Sequence, residues 1–301
     1  MSTTGSPRLT GLSRVVLVDK PPGWTSYDVI RQAKRDLGGK IGHAGTLDPF
    51  ATGLLVVLLG QATRLSALFM DLPKEYLVTA QLGARSTTGD PTGVVEPTGG
   101  DPVGAGDILP VLDRFRGTFW QRVPMTSAVK VGGEALYRKA HRGEEVETPV
   151  REVTVYDFTL VDFDAEGQKA TLIARTAKGT YVRTLVEDVG QALGVGAYAA
   201  ALRRTRVGHL SVSDAIEPET LAGDVLSAPA VPAVLSLSAA LGHLPRHDVD
   251  AQVAGRVANG GELEGGPAGL FRVYGPAGLL AVYRGPKGRA RPMVVFPTPQ
   301  D

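Results

Sequence analysis

A glycine-bounded apolar run at residues 54–59 is the feature that most constrains the fold of this chain. The run lies between Gly53 and Gly60, is short and is partly β-branched, which predicts a buried strand rather than a helix. The segment just before it, residues 42–49, is punctuated by glycine and proline and contains a single carboxylate, Asp48. We therefore expect a loop that carries Asp48 and leads directly into the interior of a sheet.

The residues around Asp48 allow two interpretations. A lone carboxylate on a loop, close to the apolar Leu47 and Phe50, can serve as a nucleophile or a general base. Asp-Pro is also a common way to begin a turn, in which case Asp48 would only cap the backbone. These residues alone leave both interpretations open.

Composition excludes several classes of protein. The chain has 301 residues, of which 43% are hydrophobic, so a large domain with a small appendage is expected. Cysteine is absent, which excludes disulfides, thiolate metal sites and cysteine nucleophiles and suits a reducing compartment. No apolar run has the length of a membrane span, and residues 1–10 lack the core of a signal peptide. We expect a cytoplasmic protein that does not associate with membranes.

Charge is balanced overall but uneven along the chain. The net charge is only +1, which argues mildly against a nucleic-acid binder. However, a basic cluster without an acid is formed by Arg203, Arg204, Arg206 and His209. Acids instead collect in the Gly/Pro-rich stretch 90–113, much of which is typical of a solvated loop. An RNA-binding surface would therefore depend on segregation of charge.

Hydrophobic periodicity predicts an α+β fold with a mostly antiparallel sheet, because strands and helices do not alternate as regular βαβ units. Ser26 is the expected cap of the first helix, which Gly38 ends. The alanine- and proline-rich segment 211–244 suggests a join near Leu244. The predicted strands are residues 14–19, 54–59, 74–82, 152–163, 169–177, 197–207, 269–274, 279–284 and 292–296, with residues 123–131 extended; the predicted helices are 26–37, 61–70, 107–115, 134–142, 181–193 and 251–257.

Residues 42–55 read Gly-His-Ala-Gly-Thr-Leu-Asp-Pro-Phe-Ala-Thr-Gly-Leu-Leu, and Gly60 and Ala-Thr-Arg at residues 62–64 follow. This run resembles the signature of the TruB-type tRNA pseudouridine-55 synthases, and the resemblance continues in order over most of residues 14–210. It implies a pseudouridine-synthase-like catalytic domain at 13–243 with flanking helices, after a loose tail at 1–12. It further implies a thumb-like RNA-clasping insertion at about 124–151 and, more loosely, a small PUA-like RNA-binding β-domain at 244–301.

The resemblance implies three catalytic residues. Asp48 corresponds to the catalytic aspartate, which acts by attacking the sugar, by forming an adduct with the base or by helping to form a glycal. Tyr76, in Lys-Glu-Tyr, corresponds to the tyrosine that stacks on the target base. Arg183, in Lys-Gly-Thr-Tyr-Val-Arg-Thr-Leu at residues 178–185, corresponds to the ionic partner of Asp48. An arginine suits that role because it is always charged and its planar fork matches a carboxylate.

The resemblance also implies a set of substrate-binding residues. His43 would fill the space that the flipped uridine leaves, since an enzyme acting on a base must extrude it. Tyr181 and Leu202 would line the base pocket, with Lys20 in its wall or in a strand-ending turn. Arg203 and Arg204 would contact phosphates, which supply affinity independent of sequence, and Lys130 belongs to the thumb. Three positions depart from the family pattern: Thr126 stands where an aromatic residue is frequent, His141 where arginine is usual, and Ser86 where threonine is usual.

The implied reaction is isomerisation of uridine 55 in the T loop of tRNA to pseudouridine. We expect no metal or organic cofactor, tRNA as the partner, no obligate protein partner, and a monomer. Two alternatives remain. The chain could be a tRNA-binding or tRNA-folding module in which catalysis is dispensable, or Asp48 could be the nucleophile of a phosphatase, although no cluster of carboxylates for Mg²⁺ stands out near it.

Overall fold

The computed structural model describes residues 12–144, 146–221, 225–226 and 231–300. The predicted tail at 1–12 falls almost entirely outside these residues, as does the side chain of His141. The strands are β1 (Arg14–Lys20), β2 (Ile41–Ala44), β3 (Thr52–Leu59), β4 (Lys74–Leu82), β5 (Ala84–Ser86), β6 (Val95–Pro97), β7 (Gly117–Arg122), β8 (Lys130–Val131), β9 (Glu134–Ala135), β10 (Val150–Asp164), β11 (Lys169–Thr176), β12 (Ala197–Val207), β13 (Leu210–Ser211), β14 (Val234–Leu235), β15 (Arg246–Asp248), β16 (Leu263–Glu264), β17 (Gly269–Gly275), β18 (Gly278–Gly285) and β19 (Arg289–Gln300).

The helices are α1 (Ser26–Leu37), α2 (Ser66–Asp71), α3 (Ala105–Asp113), α4 (Leu136–His141), α5 (Val182–Ala192), α6 (Leu237–Ala240) and α7 (Ala251–Ala258). A 3-10 helix at Gly60–Leu65 precedes α2, so the predicted helix at 61–70 is split in two. None of the helices that the described residues form is long and apolar enough to cross a membrane.

A ten-stranded sheet in the described part of the chain confirms the predicted α+β class with a mostly antiparallel sheet. Its strand order is β14-β1-β3-β12-β4-β11-β10-β7, with β2 added to β3 and β13 to β12. The pairing of β3 with β12 is the parallel one within it, at Thr52 and Gly53 against Arg203 and Arg204. Gly53 has φ +99°, and a Cβ there would lie 2.3 Å from the carbonyl oxygen of Arg204, so this seam requires glycine.

The sheet is covered by apolar side chains of separate clusters. Helices α3 and α5 pack on the half formed by β4, β10, β11 and β12, and Leu47 and Leu202 belong to that cluster. Helix α1 packs on β1 and β3 through Val29, Ile30 and Ala33, as its helical spacing predicted.

The beginning of α1 differs from the prediction. Thr25, not Ser26, is the N-cap: its hydroxyl accepts a hydrogen bond from the amide of Asp28 (3.0 Å), and the Asp28 carboxylate accepts one from the Thr25 amide (2.8 Å). The local sequence does not distinguish Thr25 from Ser26 as the N-cap, because both carry a hydroxyl group. Ser26 instead points inward and bonds the backbone of Leu47, so tertiary structure decided between them.

The segment 117–131 also differs from the prediction. Strand β7 is the edge of the sheet and precedes the segment predicted to be extended, of which only Lys130–Val131 forms a strand. The predicted strand reflects the β-branched residues in this segment. The chain turns away from the sheet after Arg122 and forms a small hairpin, β8–β9, that leads into α4.

The C-terminal residues form a five-stranded sheet with the order β15-β17-β18-β19-β16. Its apolar side chains, among them Leu279, Val282 and Phe296, join Val15 and Leu54 of the large sheet in one continuous cluster. The unit is thus packed against the large sheet rather than held only by a linker. The division at residue 244 and the PUA-like nature of this unit stay predictions.

Candidate active site

The loop that carries Asp48 is held in place from two sides. The Ser26 hydroxyl accepts a hydrogen bond from the Leu47 amide (2.9 Å) and lies 3.2 Å from the Leu47 carbonyl oxygen, to which it can donate. The ammonium group of Lys20, which is fully buried, donates to the carbonyl oxygens of Trp24 (2.7 Å), Pro21 (2.9 Å) and Pro49 (3.3 Å). The backbone on both sides of Asp48 is therefore fixed, and Lys20 is a support of the loop rather than the substrate-contacting wall residue that we considered from the sequence.

The ion pair predicted between Asp48 and Arg183 is present. Nε of Arg183 lies 3.0 Å from Oδ2 of Asp48, and the Arg183 side chain is only 3% exposed whereas that of Asp48 is 35% exposed. Arg183 lies in the first turn of α5, nearly all of whose early residues are buried. The arginine is thus enclosed by protein while one side of the carboxylate remains accessible.

A second buried carboxylate, Asp90, shares the same arginine. Nη1 of Arg183 lies 3.0 Å from Oδ2 of Asp90, whose side chain is 6% exposed. The other oxygen, Oδ1, accepts hydrogen bonds from the Thr88 hydroxyl (2.8 Å), the Thr92 amide (3.0 Å) and the Thr92 hydroxyl. Much of the acidic stretch 90–113 was interpreted as a solvated loop, but the carboxylate of its first residue is paired and buried.

Sequence reasoning missed Asp90 because it treated this residue like the other acids of the stretch 90–113. The available signal was the spacing of hydroxyl residues around it, at Ser86, Thr88 and Thr92. Ser86, one of the departures from the family pattern, donates its hydroxyl to the carbonyl oxygen of Asp90 at 2.5 Å. A carboxylate surrounded by hydroxyl donors is typical of a buried anion with satisfied hydrogen bonds.

Burial and charge act in opposite directions on Asp48. Burial raises the pKa of the Asp48 carboxyl above its ordinary value, and the nearby Asp90 raises it further, whereas Arg183 and Lys20 lower it without restoring the ordinary value. Burial also lowers the pKa of Lys20 to about 8, against the opposing effect of Asp48. The site therefore holds a poorly solvated carboxylate whose ionised form is favoured by two neighbouring cations, and a carboxyl group with a shifted pKa beside a charged partner is typical of a functional site.

Apolar and aromatic groups belong to the same cluster as Leu47, the residue before Asp48. Tyr76 on β4 and Phe50 after the loop are half-buried and pack against the cluster that contains Leu47 and Leu202. Leu202 is 7% exposed. The predicted residues Tyr76 and Leu202 are thus brought to the Asp48 side of the sheet, although their contacts with a base stay a prediction.

Tyr181 is fixed by a glutamine that sequence reasoning missed. The side-chain amide of Gln121, a buried residue of β7, donates to the Tyr181 carbonyl oxygen (3.1 Å), and its oxygen accepts from the Tyr181 amide (2.8 Å). This reciprocal pair sets the backbone just before Arg183. A single glutamine in an edge strand carries no local signal for this role.

The two arginines predicted to contact phosphates lie in different environments. Arg204 is 1% exposed, and its guanidinium donates to the carbonyl oxygens of Leu54 (2.8 Å) and Gly45 (3.0 Å). The prediction that it contacts phosphate is wrong, because its donors are enclosed and face backbone carbonyl oxygens on either side of Asp48. Arg203 is partly exposed and pairs with Asp19 at 2.6 Å. Lys130 is exposed in the β8–β9 hairpin, where the predicted thumb places it.

His43 is half-buried and lies in β2, directly before the loop that carries Asp48. Its Nδ1 is buried and has no hydrogen-bond partner in the structure. Burial, together with the charge of Arg204, lowers the pKa of this imidazole, so it is neutral at physiological pH. A neutral planar ring suits stacking between bases, as the resemblance implied, but the wedge role stays a prediction.

The comparisons with known proteins agree with this geometry. Residues 31–182 match the profile of the TruB family pseudouridylate synthases (N-terminal domain), and residues 183–230 match that of the tRNA pseudouridylate synthase B C-terminal domain. A chain of the crystal structure of a Cbf5–Nop10–Gar1 complex superposes with a TM-score of 0.72 at 26% identity, covering 95% of this chain and 85% of that chain. The fold is that of a pseudouridine synthase.

Two curated relatives narrow this class. The tRNA pseudouridine synthase B of Thermobifida fusca is 40% identical over 94% of this chain and 98% of its own length. The tRNA pseudouridine synthase B of Cupriavidus metallidurans is 41% identical over 97% of both chains. This chain belongs to the TruB family of pseudouridylate synthases.

Proposed function

We propose that this protein isomerises uridine 55 in the T loop of tRNA to pseudouridine, with Asp48 as the catalytic carboxylate. The observation that carries the proposal is the Asp48–Arg183 pair, in which a buried arginine holds a partly exposed carboxylate at 3.0 Å. Family membership and the names of the curated relatives support the same activity and make the enzyme an isomerase that acts on tRNA.

The reaction breaks the bond between N1 of uracil and C1′ of the ribose and forms a bond between C5 and C1′. The base rotates between these steps, C5 loses its proton and N1 gains one, so no atom is added or removed. A carboxylate can support the first step by attacking C1′, by adding to the base or by assisting loss of the C2′ proton to form a glycal. Each route requires the ionised form of Asp48, which Arg183 and Lys20 favour.

Other groups have supporting roles in this proposal. Tyr76 stacks on the rotating base and removes the C5 proton, Leu202 packs beside the ring, and Tyr181 lines the base pocket. His43 occupies the space that the extruded uridine leaves in the T loop. Extrusion costs a few kcal/mol, which contacts from the 124–151 segment and from the C-terminal sheet offset.

The assay is conversion of an unmodified tRNA transcript in the presence of a metal chelator, with pseudouridine scored at each position. We expect conversion at position 55 by the wild type and none by Asp48→Asn, which keeps the size of the side chain but loses its charge. Asp162→Asn, at an exposed residue of β10, is the matched control and should retain the wild-type rate. Conversion by Asp48→Asn at the wild-type rate would refute the assignment; tRNA binding without conversion by the wild type would favour a tRNA-folding module.

We propose further that the protein acts as a cytoplasmic monomer without an obligate protein partner. One chain contains Asp48, Arg183, the 124–151 segment and the C-terminal sheet, so a single copy supplies every residue named above. Light scattering during size-exclusion chromatography, with and without tRNA, tests this. A dimer that dissociates with loss of activity would contradict it.

A further inference from the structure

Thr126 makes a contact with Arg183 that the reaction scheme above does not use. Nη1 of Arg183 lies 2.6 Å from the Thr126 hydroxyl oxygen, and Nη2 lies 3.4 Å from the Thr126 carbonyl oxygen. Thr126 lies at the beginning of the 124–151 segment, which resembles the thumb of the family. It is also a position at which this chain departs from the family pattern, with a small hydroxyl residue in place of an aromatic one.

The hydrogen bonds of Arg183 show why this contact matters. Nη1 carries two protons, but three acceptors surround it: the Thr126 hydroxyl (2.6 Å), the Thr88 carbonyl oxygen (2.8 Å) and Oδ2 of Asp90 (3.0 Å). Nε carries one proton and lies 3.0 Å from Oδ2 of Asp48. Acceptors therefore compete at Nη1, and the shortest of these contacts comes from the thumb-like segment.

Competition for Nη1 also affects the contact between the guanidinium group and Asp48. The guanidinium group is planar and rigid, so the position of Nη1 determines the direction in which Nε–H points. Thr88 and Asp90 hold Nη1 from one loop, and Thr126 holds it from another. A shift of Thr126 must therefore change the angle or the length of the contact between Nε and Asp48.

Thr126 is connected to the rest of the thumb-like segment through backbone hydrogen bonds. The Tyr137 amide donates to the Ser127 carbonyl oxygen (2.9 Å), and the Leu136 amide donates to that of Val129 (2.8 Å). These bonds join the residues just after Thr126 to the beginning of α4. Displacement of α4 by a bound ligand would thus reach Thr126 through these backbone hydrogen bonds.

We propose that Thr126 is a positioning residue through which the 124–151 segment sets the orientation of Arg183 against Asp48. This inference rests on the proposed function and concerns the same tRNA substrate. Docking of RNA against the segment would then orient the catalytic pair as well as contribute affinity.

The test compares Thr126→Val, which keeps the shape but loses the hydroxyl acceptor, with Thr126→Ser, which keeps the acceptor. We expect the single-turnover rate of Thr126→Val at saturating tRNA to fall about tenfold (~1.4 kcal/mol), with the Kd for tRNA within about twofold of the wild type. Thr126→Ser should recover most of the rate. Thr118→Val is the matched control, because the Thr118 hydroxyl bonds Thr154 on β10 (2.9 Å) away from Arg183.

A second readout separates positioning from general loss of structure. Burial and the nearby Asp90 raise the pKa of the Asp48 carboxyl. Arg183 and Lys20 lower it. A less well-held Arg183 lowers this pKa less, so the acid limb of the pH–rate profile should move to higher pH in Thr126→Val and stay in place in Thr126→Ser. Thr126→Ala removes the same acceptor with a smaller side chain and should show the same shift, which keeps the test valid if valine disturbs the fold.

The inference is overturned if Thr126→Val and Thr126→Ala keep the wild-type rate, if the loss lies only in tRNA affinity, or if the rate falls while the acid limb does not move. Failure of the proposed function is a different outcome, because the wild type itself would then not form pseudouridine.

Discussion

Replacement of Arg183 by methionine should destabilise the fold far more than replacement of either carboxylate that it binds. The Arg183 side chain is 3% exposed and contacts Asp48 and Asp90, each at 3.0 Å. Methionine fills much of the same volume but leaves both carboxylates without their shared cation. Breaking a buried ion pair from one side costs about 3–5 kcal/mol, and we expect a loss in this range.

Asp48→Asn should change stability by less than about 1 kcal/mol. Burial already raises the pKa of the Asp48 carboxyl, so the folded state disfavours its charge, and a neutral side chain removes that penalty. Arg183 keeps Asp90 as a partner in this variant. The double variant Asp90→Asn/Arg183→Met should recover part of the stability that Arg183→Met loses, because it removes the more deeply buried unpaired charge.

Urea unfolding at pH 7, followed by tryptophan fluorescence, measures these differences as shifts of the midpoint at constant slope. The deficit of Arg183→Met should shrink as the pH falls, because protonation neutralises the Asp48 carboxylate that the variant leaves unpaired, whose pKa burial already raises. The reasoning is refuted if Arg183→Met lies within about 1 kcal/mol of the wild type, or if Asp48→Asn is the less stable of the two single variants.

Three further outcomes can be checked. The single-turnover rate should rise with pH as Asp48 ionises, with a midpoint above the ordinary aspartate value of 3.8 because burial raises its pKa; a rate that is already constant at that pH would contradict this. His43→Ala should slow modification of folded tRNA more than that of a short T-arm hairpin, since unstacking costs more in the folded loop; equal slowing would assign His43 to the chemical step. A chain ending at Leu244 should unfold at lower urea than the full chain, because it uncovers the apolar cluster that Leu279, Val282 and Phe296 share with Val15 and Leu54; an unchanged midpoint would show that the two units are independent.

Much of the fold could be predicted because its elements have strong local periodicity. The strands Lys74–Leu82 and Ala197–Val207 have the predicted bounds, and β1, β3, β10 and β11 differ by one to a few residues at their ends. The buried residues of α1 follow the helical spacing in the sequence. Such elements depend on near neighbours, whose pattern a single sequence contains.

The loop that carries Asp48 was also predictable, because its glycines, Asp48 and the strand that follows are close together in the sequence. The pairing of Asp48 with Arg183 came from the resemblance to the family and not from spacing, and the structure confirms that contact. By contrast, Asp90 and Thr126 lie 93 and 57 residues from Arg183. No local pattern connects either residue with Arg183, so only the folded chain shows that they share one guanidinium.

Arg203 and Arg204 show most clearly what the sequence alone could not predict. Alternation along a strand determines that these neighbours face opposite sides of the sheet. Which of them faces inward depends on the partner strand: Arg204 lies opposite Gly53, beside the carbonyl oxygens of Gly45 and Leu54. The sequence determined the alternation, and only the tertiary pairing of β12 with β3 decided that Arg204 supports the catalytic loop while Arg203 pairs with Asp19 near the surface.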